Sequence, residues 1–498
     1  MRRRTGCSSA STRSTPSDGY LTWGLSDRPI WELRPPWGSH VHHDLIIIGT
    51  GSGNMVADDS FSDLDVGFVE ERRAGGTCLN FGCIPSKMLA YTADVVDTVS
   101  GAAEFDVDAS LGGLRWSDLR NRIFTLTDSK SLEGREARES SDHTTYYEGH
   151  AEFTGPSQLR VADPDGKITE LTADQIVIAN GGRPVIPPVV GDSGLPYETS
   201  DTIMRIDAPP RRLAVLGGGY IAAELAHVFS AAGSDITIIE QHDELLGGPQ
   251  DGDVRATFTE LMSKRWDLRL GVELSAIGGS PGNLELTLDD GSTVQADMLL
   301  VASGRRPNSD RLNLEVSGVD IDDHGRIVVD EFGRTTADGV FALGDVSSPI
   351  PLKHVANREA EMVSHNLRNP DDLRSISHEL VPSAVFTSPQ IASIGLTEEN
   401  CREDHPGYRV GRTPYGDVAY GWAMQDHSGF CKVLVDGGDG RILGAHIIGP
   451  QAASLIQIFV VAMEFGITAA DLAHRPYWIH PALTEVVSNA LLNVEEAA

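Results

Sequence analysis

Two stretches of this chain, about 170 residues apart, carry the same unusual local instruction. In HHDLIIIGTGSGN, residues 42–54, a short apolar run (Leu45 to Ile48) breaks into Gly49, Gly51 and Gly53. In RRLAVLGGGYIAAELAHVF, residues 211–229, the run Leu213 to Leu216 breaks into Gly217 and Gly219, with Ala222 following. A buried strand feeding a glycine turn and then a helix is where a dinucleotide pyrophosphate meets backbone N–H groups at a helix N-terminus. Each copy has an acid at the end of the next strand: Glu70 in VGFVEE, and Glu240 in ITIIE. These lie 21 and 23 residues after Gly49 and Gly217, the spacing at which a carboxylate accepts from a ribose hydroxyl. The first copy departs from the usual pattern at Asn54. The chain is therefore expected to be α/β, with two Rossmann-like domains. Two bound dinucleotides, or a duplication with one idle copy, both satisfy the pattern.

Between the copies lies GGTCLNFGCIPSK, residues 75–87, with four residues separating Cys78 from Cys83. Proline is tolerated in the first turn of a helix, so Pro85 predicts a helix starting near Ile84. Cys83 would then sit at its N-terminus and Cys78 in the preceding glycine-rich loop, free to fold back. Unpaired N–H groups and the helix dipole favour a thiolate at Cys83. The pair reads as redox-active, the alternatives being a structural disulfide or two buried thiols. Cys7, Cys401 and Cys431 are isolated, which argues against zinc or any other structural metal. Two dinucleotide signatures around a cysteine pair suggest a relay from a nicotinamide, through a flavin, to a disulfide. Glu240 favours NADH, because it would repel a 2′-phosphate and QHDELLGG supplies no Arg or Lys; NADPH stays possible.

Forty basic residues against 72 acidic ones give 498 residues a net charge of −32, which disfavours nucleic acid and anionic lipid surfaces. No apolar run is long enough for a membrane span, and five cysteines fit a reducing cytoplasm. Residues 1–40 differ from the rest. MRRRTGCSSASTRSTPS is basic and Ser/Thr-rich, like a transit peptide, but reads as a disordered extension or a start placed too far upstream.

Further motifs follow in order: GRRPN (304–308), TTADGVFALGDV (335–346) and HPALTE (480–485). Together with the cysteine motif and the second fingerprint, they make the chain resemble the pyridine nucleotide–disulfide oxidoreductases, which include glutathione reductase and lipoamide dehydrogenase. The resemblance implies FAD and NAD(P)H as cofactors, and a homodimer with shared active sites acting on a small-molecule disulfide. It implies that Asp345 binds the flavin's ribityl chain, and that Cys83 is the thiolate nearer the flavin. Cys78 is then the thiol that attacks substrate, and Lys87, paired with Glu224, steadies the thiolate. His480, oriented by Glu485, would reach into the partner's site, take the proton of Cys78 and return it to the leaving thiol. Thr77, His150, Ala151, Tyr220, Ile221, Gly304 and Lys87 join the glycines and acids as cofactor contacts.

The expected domains are FAD-binding (41–184), NAD(P)-binding (185–304), a central segment completing the FAD domain (305–379) and an α+β dimerisation domain (380–498). Within the family, IIIGTGSGN, SDTIMRI (200–206), LKHVAN (352–357), YGDVAYGWAMQD (415–426) and YWIHPAL (477–483) resemble the mycothione-reducing subgroup. MVADDSFSDLD (55–65) is read as an acidic helix beside the substrate, which would disfavour the anionic glutathione disulfide. Dihydrolipoyl dehydrogenase activity and a non-enzymatic redox sensor are the rival readings.

Overall fold

The computed structural model describes residues 41–248 and 250–496. The expected extension at 1–40, with Cys7, lies outside the described residues. The first sheet has a parallel core, in spatial order Thr144–Glu148, Val66–Glu70, Val41–Ile48, Ile168–Ile178 and Val340–Ala342. Leu45, Ile46 and Ile47 are fully buried, because both faces of a parallel sheet are covered. An antiparallel meander, His150–Gly155 and Gln158–Ala162, extends the sheet from Ile168–Ile178. The Val340–Ala342 strand returns from far along the chain, so residues beyond 304 complete the first sheet.

The second sheet repeats the plan. Its parallel strands run Asp267–Leu270, Asp235–Glu240, Arg212–Leu216, Met298–Val301 and Glu198–Thr199. Where the chain leaves the first sheet and later returns, Gly182–Pro184 and Arg305–Pro307 pair as an antiparallel ribbon. Asn180 and Asn308 clasp the crossing reciprocally, each side-chain amide donating to the other's carbonyl at 3.1 and 2.8 Å.

The third sheet is antiparallel: Ser383–Val385, Ile391–Gly395, Ile442–Ile448, Phe430–Val435, Arg409–Pro414 and Glu495–Glu496. The Ala452–Glu464 and Glu485–Leu492 helices cover it through Phe459, Val486, Val487 and Ala490. It is tied to the second sheet's layer by charge. Lys432, 1 % exposed, bonds Asp251 at 2.9 Å, Asp253 at 3.0 Å and Glu398 at 2.5 Å. Asp251 also caps the Gly252–Ser263 helix. These carboxylates hold the Lys432 ammonium in its charged form despite burial, which by itself opposes the charge. Lys432→Met should strand the fully buried Asp251 and cost about 3–5 kcal/mol. A denaturant-midpoint measurement checks this.

Candidate active site

The cysteines sit at a helix-to-helix corner. Gly75 opens the short Gly76–Asn80 helix, which carries Cys78, and Gly82 precedes the Cys83–Ser100 helix. Cys78 is therefore helical, not in the loop expected from the glycines. Asn80 makes this possible: its side-chain amide bonds the carbonyls of Ala74 and Gly76, both at 3.0 Å, closing the one-turn helix on itself. Both cysteines carry free thiols, hydrogen-bonded to each other. That bond, with burial, pushes Cys78 well above the ordinary thiol range. The same bond, then Lys87, pulls Cys83 down to about 7. The Lys87 ammonium is 2.5 Å from Glu224 Oε2 and 4.7 Å from the centre of the Phe386 ring. Glu224 is buried, and its other oxygen accepts from the Phe386 N–H at 3.0 Å. A cavity of about 500 Å³ opens at Cys83, bordered by Ile84, Lys87, Met88, Tyr91, Thr92 and Arg122.

The two glycine turns are built alike. Gly49 N–H donates to Val69 O, and Gly217 N–H to Ile239 O, both at 2.8 Å. At Gly49 φ is +99°, and a Cβ would lie 2.4 Å from Ala179 O; Gly217, at φ +107°, stands likewise 2.5 Å from Ala302 O. Only glycine fits either corner. Glu70 Oε2 accepts the Thr50 N–H at 2.9 Å, and Glu240 Oε2 accepts the Gly218 N–H at 2.5 Å. Each strand-end acid thus braces the turn of its own domain. Beyond Gly219 the chain enters the Tyr220–Ala231 helix, with Tyr220 exposed and Ile221 half-buried. After Gly53 there is no α-helix, contrary to expectation, only the one-turn 3-10 segments Gly53–Met55 and Asp59–Phe61. The acidic helix expected over 55–65 is absent for the same reason: Asp58 accepts from Ser60 N at 2.8 Å, diverting backbone donors from a helix. Asp63 is paired with Arg368 at 3.1 Å and Asp65 with His43 at 2.9 Å. The acids are engaged locally, and the argument they supplied against an anionic disulfide falls.

His480 and Glu485 lie apart from these turns. His480 Nδ1 is 2.7 Å from Glu485 Oε1, and the imidazole is 70 % exposed. Neighbouring Tyr477 and Ile479 are also exposed. Among the described residues, no hydrogen bond or ion pair joins His480 or Glu485 to Cys78, Cys83 or Lys87. Thr77 shares the Cys78 helix; His150 and Ala151 open the strand after Gly149, whose N–H donates to Glu70 O at 2.8 Å. His150 bonds Arg311 O at 2.8 Å, and Gly304 O accepts from Val185 N at 3.0 Å beside the crossing ribbon.

Residues 43–360 match the model of pyridine nucleotide-disulphide oxidoreductases, and residues 381–491 that family's dimerisation domain. The chain belongs to this oxidoreductase family. It is 47% identical over 465 residues to mycothione reductase from Mycobacterium tuberculosis, covering 91% of this chain and 99% of the relative. A dihydrolipoyl dehydrogenase of Haloferax volcanii is more distant, 32% identical over 90% of this chain and 96% of its own. Among solved structures, the copper complex of the HOCl-induced flavoprotein disulfide reductase RclA from Escherichia coli has a TM-score of 0.81. It is 25% identical and covers 91% of this chain and 99% of that one. Like its family, this oxidoreductase uses FAD, takes electrons from NAD(P)H and reduces disulfides.

The oxidoreductase's residues suit those groups. Asp345, half-buried on the turn after Val340–Ala342, has no hydrogen-bond partner from another side chain for its carboxylate among the described residues, and Arg305 stands 3.8 Å away. Burial raises its affinity for a proton, so a ligand hydroxyl is the kind of donor it lacks. Buried Glu359 holds that turn, accepting from Gly344 N at 2.6 Å and pairing with His378 at 2.7 Å. Sequence reasoning missed Arg305, Glu359, Phe386 and Arg122, because each meets the site through packing of distant segments. It also missed His242, whose Nδ1 is 2.5 Å from Glu240 Oε1, so a potential cation stands closer than Arg255. Among the described residues no helix is long and apolar enough to cross a membrane.

Proposed function

We propose that the protein reduces mycothione, the disulfide of a neutral pseudodisaccharide thiol, to mycothiol at the expense of NAD(P)H. The observation that carries this reading is 47% identity to a mycothione reductase across nearly the whole of both chains. The first sheet, with residues 41–184 and 305–379, holds FAD through Gly49, Gly51, Gly53, Glu70, Thr77, His150, Ala151 and Asp345. The second, 185–304, holds the nicotinamide coenzyme through Gly217, Gly219, Tyr220, Ile221, Glu240 and Gly304. Residues 380–498 pair two copies. Bound FAD supplies the two-electron couple between the nicotinamide and the cysteine pair.

The chain's own residues do the thiol chemistry. Cys78, freed of its proton, attacks one sulfur of the substrate; the S–S bond breaks, and one thiol leaves after receiving a proton. Cys83 thiolate, favoured by its hydrogen bond from Cys78 and by Lys87, then attacks Cys78, closes the intramolecular disulfide and releases the second thiol. His480 of one protomer moves the proton for Cys78 of its partner, with Glu485 fixing the imidazole's tautomer. The exposure of His480 beside Tyr477 and Ile479 suits a residue that acts across an interface. Five cysteines in 498 residues suit a reducing cytoplasm, and we place the enzyme there.

A trapping experiment tests the reading. Cys83→Ser, given mycothione, should release one equivalent of mycothiol and retain the other as a mixed disulfide on Cys78, read by peptide mass spectrometry. No adduct, or an adduct elsewhere, would refute the assignment.

Coenzyme choice is read from Glu240. A 2′-phosphate would meet this buried carboxylate, so NADH should exceed NADPH in kcat/KM by about 10- to 100-fold. Glu240→Arg should narrow or invert the ratio in steady-state assays with each coenzyme.

A further inference from the structure

The Lys353–Arg368 helix touches both the turn that carries Asp345 and the segment that leads into the dimerisation domain. After this helix the chain reverses, and residues 372–382 run back along it as neither helix nor strand before entering Ser383–Val385. Side chains of the helix fasten this strap in reverse order. His365 Nε2 donates to Asp372 O at 2.7 Å, and Asn366 bonds both the carbonyl and the N–H of Arg374, at 2.9 and 2.7 Å. Next, His378 Nε2 donates to Glu359 Oε1 at 2.7 Å, and His354 Nε2 donates to Pro382 O at 2.9 Å. The His378 rung reaches further than the others. Glu359 is 3 % exposed, and its second oxygen accepts the Gly344 N–H at 2.6 Å. Gly344, at φ +74°, is the corner immediately before Asp345, so holding its N–H sets the direction in which Asp345 leaves the turn.

We infer that His378 and Glu359 are positioning residues for FAD retention: His378 fixes Glu359, Glu359 fixes the Gly344 N–H, and that corner aims Asp345 at the flavin's hydroxyls. The inference rests on the role proposed above for Asp345. A buried carboxylate needs a donor at each oxygen. Glu359 takes one from the flavin-side turn and the other from the strap, so a single side chain joins the two. A carboxylate only accepts, so the proton of the His378 ring lies on Nε2. The charges around Asp345 agree with a carboxylate seated close by: burial raises its proton affinity most, Arg305 lowers it, and Glu359 raises it again. FAD retention is thereby coupled to the docking of the segment that begins the dimerisation domain.

The test follows FAD release from purified, oxidised holoenzyme after dilution, read as the rise in free-flavin fluorescence. His378→Phe, which keeps a ring and loses the donor, and His378→Ala should each release FAD about tenfold faster, the scale of one hydrogen bond to a charged group. His378→Gln, whose amide donates in place of Nε2, should stay within about twofold of the unmodified enzyme. His354→Ala opens the neighbouring rung but leaves Glu359 both donors, and should also stay within about twofold. In an Asp345→Ala background the His378 substitutions should add less than about twofold, because the rung acts through that carboxylate. No acceleration by either His378→Phe or His378→Ala, a Gln variant as fast as the Phe variant, equal acceleration by His354→Ala, or full additivity with Asp345→Ala overturns the inference. If Asp345→Ala holds FAD as well as the unmodified enzyme does, the proposed role of Asp345 fails and the inference with it.

Discussion

Cys78→Ser should lose NADH-driven mycothione reduction by on the order of 10⁴-fold or more, because the hydroxyl cannot replace a thiolate that must attack sulfur. The variant should keep a normal Cys83. With FAD bound and no reductant added, its long-wavelength thiolate absorbance should be visible, since Cys83 has no partner with which to form a disulfide. That absorbance should fade as pH falls. In the unmodified, reduced protein Cys83 is held at about 7, so its thiolate is present above that pH and lost below it. The introduced hydroxyl can still donate to the Cys83 thiolate, so the fade should stay near that pH in the variant. Cys83→Ser should show no such absorbance at any pH. Steady-state turnover and a spectral pH titration read both effects, and the opposite spectral pattern would mean the two thiols have been assigned in reverse.

His480→Ala should lower turnover by about 10²- to 10⁴-fold, the range for removing a positioned general acid–base group. The loss should fall on the half-reaction with the disulfide. In the proposed relay, reduction of the enzyme by NADH involves Cys83, Lys87 and Glu224, none of which, among the described residues, hydrogen-bonds or ion-pairs with His480. Glu485→Gln should act in the same direction but less, because the imidazole survives and only its tautomer and aim are disturbed. Stopped-flow measurement of the two half-reactions separates them. A matching fall in the rate of NADH-driven reduction would remove His480 from the thiol chemistry.

Much of this was legible in the chain because it is local. The glycine corners, the strand-end acids and the cysteine spacing are each written within about thirty residues, and the structure builds Gly49 with Glu70 and Gly217 with Glu240 on one plan. What was illegible depends on segments meeting across hundreds of residues: Lys353 with Ser52, Glu224 with Phe386, Arg305 with Asp345. The error over residues 55–65 has a different origin. Its acids and serines look like a polar helix face, yet Asp58 turns its carboxylate onto Ser60 N, while Val56, Ala57 and Phe61 sink into the core. Cys78 was misplaced because glycines on either side suggested a loop, and Asn80's three backbone contacts, which close the short helix, leave no sequence period.

Substrate choice tests the account most directly. Purified enzyme should be assayed with mycothione, glutathione disulfide and lipoamide under saturating NADH, and kcat/KM compared. The account predicts that mycothione is reduced most efficiently; faster turnover of lipoamide or glutathione disulfide would contradict it.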